Sequence, residues 1–221
     1  MRYISLIILL ILISYSAISQ DLKSSLSPAN APFNIDSAGL TPRQKKIIKD
    51  HEVYAKSTVK DYEKSSHLLG PLKTAMVKVQ SLDFKLAGVH KRSCRYALKK
   101  VSLYENYKDY MGFIKNSTYN EKTSRIYLKI SHTILPIDMV LNFIIPRIKK
   151  PGAYPFVFDK GFLKDLKGEI HVSPLGKECF FYVLANWEGP DTGFSNSLFE
   201  FFSKGIAVLA IENLFRVSGG N

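Results

Sequence analysis

The chain has 221 residues, 46% of them apolar, with 31 Lys and Arg against 19 Asp and Glu for a formal charge of +12, a length that suits one domain with a peripheral segment. Most of the basic residues are Lys, a hydrated point charge, whereas phosphate and base recognition draws on the planar guanidinium, so no nucleic-acid partner is expected. The charge suits an anionic membrane surface, a polyanionic envelope polymer, or solubility alone.

At the start, Met1-Arg2 precedes an apolar run over 3–13, and the small residues Ala17 and Ser19 stand just before Gln20. This is the layout of a signal peptide over 1–19, with an apolar core shorter than the roughly 20 residues of a full span. The mature protein is therefore expected to be exported, periplasmic or secreted. Every later apolar run is broken by Lys, Asp, Asn, Pro or Arg.

Residues 20–81 read as an N-terminal extension. Ser27-Pro28 and Ala31-Pro32 make 20–40 a flexible leader. Thr41-Pro42-Arg43-Gln44 has the form of a capped helix start, and Ile47, His51, Tyr54, Thr58 and Tyr62 continue at helical spacing, predicting a helix over 41–62. Gly70-Pro71 breaks the chain, and the main domain, 82–221, opens with Leu82, Phe84 and Leu86 alternating as in a half-buried strand. Two short helices are predicted over 96–113, with a break near Ser102.

Strands follow where Ile126, Leu128 and Ile130 alternate with Tyr127 and Lys129, and where Met139, Leu141, Phe143 and Ile145 alternate with Val140 and Asn142. Leu135-Pro136 marks the turn between them and Lys149-Lys150-Pro151-Gly152 the next. Further extended pieces are predicted over 153–158, 166–173 and 179–187. After turn formers at 188–193, residues 194–217 read as a long, heavily apolar helix. In it Leu198, Phe202, Ile206 and Leu209 form one row beside Phe201, Gly205, Val208 and Phe215, broader than an ordinary surface-helix stripe. Glu200 and Lys204 mark its solvent side as an ion pair four residues apart. Gly205, costly in a helix interior, is expected to admit close approach of the sheet or a ligand.

The five His are scattered, with no metal-ligand spacing around them, and no phosphate loop, serine elbow or catalytic-thiol signature occurs. No metal and no cofactor is expected. His132 continues the Ile126, Leu128, Ile130 alternation, which makes it the one candidate general base, against the plainer reading of a satisfied His at a strand end. Cys94 and Cys179 are either a disulfide, which export would let persist, or two buried thiols.

The order of a strand, two short helices, antiparallel strands and a long C-terminal helix resembles the helix-grip superfamily of START lipid-transfer domains, polyketide cyclases and coenzyme Q-binding proteins. Residues 107–117, 125–132 and 194–216 carry the likeness, which extends over about 82–217. The resemblance implies an α+β fold in which a curved antiparallel sheet wraps around the long helix and leaves a hydrophobic cavity. Its expected walls are Leu128, Ile130, His132, Leu141, Phe143, Trp187, Leu198, Phe201, Phe202, Gly205 and Leu209. It also implies that the first and last strands are neighbours, which would bring Cys94 towards Cys179. The extension then caps the cavity, docks a partner or pads the sheet edge. The leading functional reading is a non-enzymatic carrier of a lipid, sterol, quinone or isoprenoid, loaded at an anionic membrane. A cyclase or aromatase shuttling protons through His132, and a structural partner-binding protein with a filled cavity, are the other two classes.

Overall fold

The computed structural model describes residues 33–66, 75–133 and 138–220. The expected signal peptide, the leader up to residue 32, His67, Gly70-Pro71 and Leu135-Pro136 lie outside the described residues.

Helix α1 (Pro42–Lys49) starts as its sequence dictates: the Gln44 amide donates to the Thr41 hydroxyl, and the Thr41 amide donates to the Gln44 side chain. It does not run on to residue 62. The backbone leaves the helix at His51, whose φ is 63°, and enters strand β1 (Tyr54–Ser66). The predicted helical row of Tyr54, Thr58 and Tyr62 competes with an alternation in the same residues. Ser57, Val59 and Asp61 face inward, while Lys56 and Thr58 face outward. Each residue of β1 pairs with one of β2 (Ala75–His90), and that ladder, rather than the local sequence of β1, decides the conformation. The boundary expected at 82 falls inside β2.

Helix α2 (Cys94–Val101), a short 3-10 turn (Tyr104–Asn106) and helix α3 (Tyr107–Tyr110) follow, divided near Ser102 as the sequence predicts. Strands β3 (Ile114–Asn120), β4 (Arg125–Ile130), β5 (Met139–Ile144), β6 (Gly152–Gly161), β7 (Lys167–Leu175) and β8 (Glu178–Pro190) precede helix α4 (Asn196–Val217). They form a curved antiparallel sheet in the order β1-β2-β8-β7-β6-β5-β4-β3. Gly161, at φ 93°, ends β6 where a Cβ would meet the Val140 carbonyl at 2.2 Å, so only glycine lets β6 approach β5 there. This is the helix-grip fold, with α4 held against the concave face and β1 added at one edge. No helix among the described residues is long and apolar enough to cross a membrane.

The concave face carries the larger core, in which Leu82, Ile126, Val172 and Phe181 pack with Phe199, Leu214 and Phe215 of α4 and with the short helices. A second core covers the convex face. Ile35, Ala38, Leu40 and Ile48 bury Ala87, Val89, Phe180 and Tyr182, Phe33 stacks on His171 at 4.1 Å, and the Tyr182 hydroxyl donates to the Ala38 carbonyl at 2.9 Å. Residues 33–40 are thus an ordered turn rather than flexible leader. Asn34 Oδ1 holds it by accepting from the Asp36 and Ser37 amides.

At the β3 edge, Ser117 donates to the Glu105 carbonyl and accepts from the Lys108 amide, which ties the short helices over that strand. Arg147 is nearly buried. It lies 4.5 Å from the Tyr119 ring centre and bonds Glu105, Glu121 and the Ser102 carbonyl, which joins the short helices to the β3–β4 turn.

Cys94 and Cys179 form a disulfide with Cα atoms 4.6 Å apart. Cys179 lies opposite His90 in the β2–β8 ladder, and Cys94 opens α2 four residues later. His90 is fully buried. Its Nδ1 accepts from the Arg92 amide at 3.0 Å, which leaves the proton on Nε2 to donate to the Ser218 hydroxyl at 3.0 Å. Burial holds the His90 pKa below its ordinary 6.5, against the pull of its hydrogen bonds. The folded state therefore binds fewer protons at this site than the unfolded one, so its contribution is fully present above pH 6.5 and is lost as pH falls below it. The urea midpoint is expected to decline as pH falls below about 6.5, with a shallower decline in His90→Gln. Equal slopes in the two proteins would assign the decline to other groups.

Candidate functional site

The N-terminal half of α4 stands off the concave face and leaves an apolar cavity of about 210 Å³. Leu82 and Phe84 of β2 and Val183 and Ala185 of β8 form its floor. Ile130, Met139 and Leu141 of β4 and β5 form one side, Phe156 and Phe158 of β6 another, and Phe162, Leu163 and Leu166 close the β6–β7 end. Phe194, Phe199, Phe202, Ser203, Ile206 and Ala207 supply the helical wall.

Ser203 is the sole polar residue among the described lining residues. Its hydroxyl donates to the Phe199 carbonyl at 2.8 Å and lies 2.7 Å from the Ser57 hydroxyl, so its hydrogen is already committed. None of these lining residues titrates, and no cluster of metal-ligating side chains occurs among the described residues. The site can enclose an apolar body by excluding water.

Of the eleven residues expected as walls, Ile130, Leu141 and Phe202 line this cavity. Leu128 is buried in the concave core instead, and Phe143 stacks on Phe158 at 4.7 Å, behind the wall. Trp187 packs on Phe199 and donates its indole N–H to the Lys164 carbonyl at 2.8 Å. His132 is exposed, because β4 ends at Ile130 and the alternation does not extend past the strand. Leu198, Phe201 and Leu209 point to solvent, Phe201 with 64% of its surface exposed. A side chain at Gly205 would meet nothing within 4 Å, so this glycine makes no close approach.

The helix row was misassigned because α4 is apolar on nearly every side, and a pattern without a polar face does not mark which side is inner. Glu200 shows the same reversal. Rather than facing solvent beside Lys204, its carboxylate accepts from the Val59 amide of β1 at 2.7 Å. Phe84 and Met139 belong to alternations that sequence did mark, whereas Phe162 and Leu163 sit in a turn without periodicity.

The start of α4 is fixed by fully buried Gln80. Its Nε2 lies 3.0 to 3.1 Å from Asp61 Oδ1, Asn196 Oδ1 and the Phe194 carbonyl, and its Oε1 accepts from the Thr192 hydroxyl at 2.6 Å. Ser195 caps the helix by accepting from the Leu198 amide.

No protein-family model matches the sequence, and no curated protein matches it. Solved structures do share the fold. A START superfamily protein from Mycobacterium smegmatis is 12% identical, with a TM-score of 0.50 over 62% of this chain and 97% of that one. The Zhui aromatase/cyclase from Streptomyces sp. R1128 is 8% identical, with a TM-score of 0.50 over 63% of this chain and 94% of that one. Ara h 8.0201 is 8% identical, with a TM-score of 0.50 over 64% of this chain and 99% of that one. Each match takes in nearly all of the other protein but under two thirds of this chain. At these identities the likeness establishes the START-like helix-grip fold and nothing finer.

Proposed function

We propose that this protein is an exported carrier of an uncharged, apolar small molecule held between α4 and the concave face of the sheet. The observation that carries the reading is the cavity lining, apolar throughout except for a serine whose hydrogen is already used. Affinity would come from burial, at about 25 cal/mol per Å² of apolar surface, and a charged or strongly polar group inside would lose its hydration without finding a partner. Lipid, sterol, quinone and isoprenoid ligands fit this chemistry through their hydrocarbon portions. The fold shared with a START superfamily protein supports the same reading. A cyclase-like reaction would need a proton-shuttling group at the cavity, and exposed His132 does not supply one. The open volume of about 210 Å³ supports the carrier reading over a protein with a filled interior.

Export is supported by the N-terminal layout of residues 1–19 and by a disulfide that an oxidising compartment preserves. Loading at an anionic membrane is supported by the +12 charge and by exposed Leu198 and Phe201 on the helix that walls the cavity. High salt is expected to release the protein from anionic vesicles while leaving ligand affinity in detergent unchanged; salt-insensitive vesicle binding would remove this role for the charge. The carrier reading itself is tested by mass spectrometry of protein from its native compartment, under native conditions and after organic extraction. A stoichiometric apolar compound released only on denaturation supports it, and a bare mass in both spectra overturns it.

A further inference from the structure

We infer that the seam between β1 and α4 is the gate of the cavity, and that the N-terminal half of α4 swings away from β1 to admit ligand. The inference rests on the carrier reading for what passes through the gate. Pockets that enclose drug-sized ligands run to about 300–1,000 Å³, so at about 210 Å³ the cavity must widen for a sterol or a polyprenyl chain.

Helix α4 has two kinds of neighbour. Towards the concave face its contacts are apolar. Towards β1, its most extensive contact with the sheet, its N-terminal half is joined by hydrogen bonds. Ser57 meets Ser203 at 2.7 Å, the Val59 amide donates to Glu200 at 2.7 Å, and Asp61 reaches Asn196 through Gln80. Alternate residues of the strand thus meet 203, 200 and 196, which lie along one face of the helix. Groups of this kind are readily rehydrated, and each bond is worth only about 0.5–1.5 kcal/mol net. Opening the N-terminal half would uncover one buried side chain, Phe199, whereas separating the C-terminal half would expose buried Leu214 and Phe215, and would also break the Ser218 contact to His90 and the Lys100 bond to the Val217 carbonyl.

The difference between the two halves predicts a hinge near Gly205, a helix-weakening residue with open space around it. The gate depends on β1, so the N-terminal extension sets how quickly the cavity opens.

Two measurements test this. In ligand-free protein, the double variant Ser57→Ala/Glu200→Leu is expected to speed amide hydrogen exchange across 200–207 by about tenfold, the equivalent of one or two lost bonds, with 208–217 unchanged and Glu200→Gln close to wild type. Acceleration along the whole helix, or none, overturns the gate. In the second, Ser57→Cys/Ser203→Cys is oxidised, with the bond verified by mass, and release of the neutral fluorophore N-phenylnaphthylamine is followed. The lock is expected to slow release about tenfold or more with affinity within about twofold, and an unchanged release rate places access elsewhere and overturns the gate. If wild-type protein does not bind the fluorophore, the carrier reading fails for this ligand class, and the exchange measurement still decides the gate.

Discussion

Ala207→Trp is expected to lower the amount of co-purifying apolar ligand by about tenfold or more, while the protein still unfolds in one cooperative transition. Ala207 lies on the helical wall, and an indole there would occupy much of a cavity of about 210 Å³. Ligand would then compete with a covalently attached group for the same volume. Because the indole enters open space rather than packed core, the stability cost should fall at or below the low end of the roughly 1–3 kcal/mol typical of overpacking. Leu209→Trp, on the exposed face, serves as the matched control and should leave occupancy unchanged. Ligand retained in full by Ala207→Trp would place the binding site outside this cavity.

Cys94→Ala/Cys179→Ala is expected to cost up to about 4–5 kcal/mol, the chain-entropy limit for so long a loop. The bridge spans 85 residues, and both half-cystines are buried. The figure is a large share of the roughly 5–15 kcal/mol that holds a typical domain together. In urea it would appear as a midpoint lower by about 2 M, reproduced in wild type by a reductant strong enough to open the bond. Coincident curves with and without the bridge would show that the denatured chain gains little freedom from its removal.

Much of the sheet was legible because its strands alternate: Leu82 with Phe84, Ile126 with Leu128, and Met139 with Leu141 all point one way and are all found on the concave side. The capped start of α1 was legible for a local reason, since Thr41 and Gln44 satisfy each other's backbone within a single turn. Strand β1 was not. Its residues fit a helical row and a strand alternation about equally, and the deciding partner, β2, begins only at Ala75, beyond Gly70-Pro71 in sequence. The candidate site suffered most, for a physical reason: α4 has almost no polar face, so its inner and outer residues differ only in what the rest of the molecule places beside them. Glu200 shows this most plainly, because its partner is a backbone amide on a strand that the sequence presented as helix.

The central pairing of the sheet has a consequence for the order of events in folding. Strand β2 takes β8 as its neighbour, with Val79 opposite Pro190 and His90 opposite Cys179. Until β8 and α4 have been synthesised, the β1–β2 hairpin has no third strand beside it, and Phe180 and Tyr182 are not yet there for the extension to cover. A nascent chain of this topology cannot complete either core early, and such long-range closure is intrinsically slow. Under the proposed export, that delay would keep the chain passable through a translocation channel, and the closing of β2 on β8 would then bring the two cysteines together.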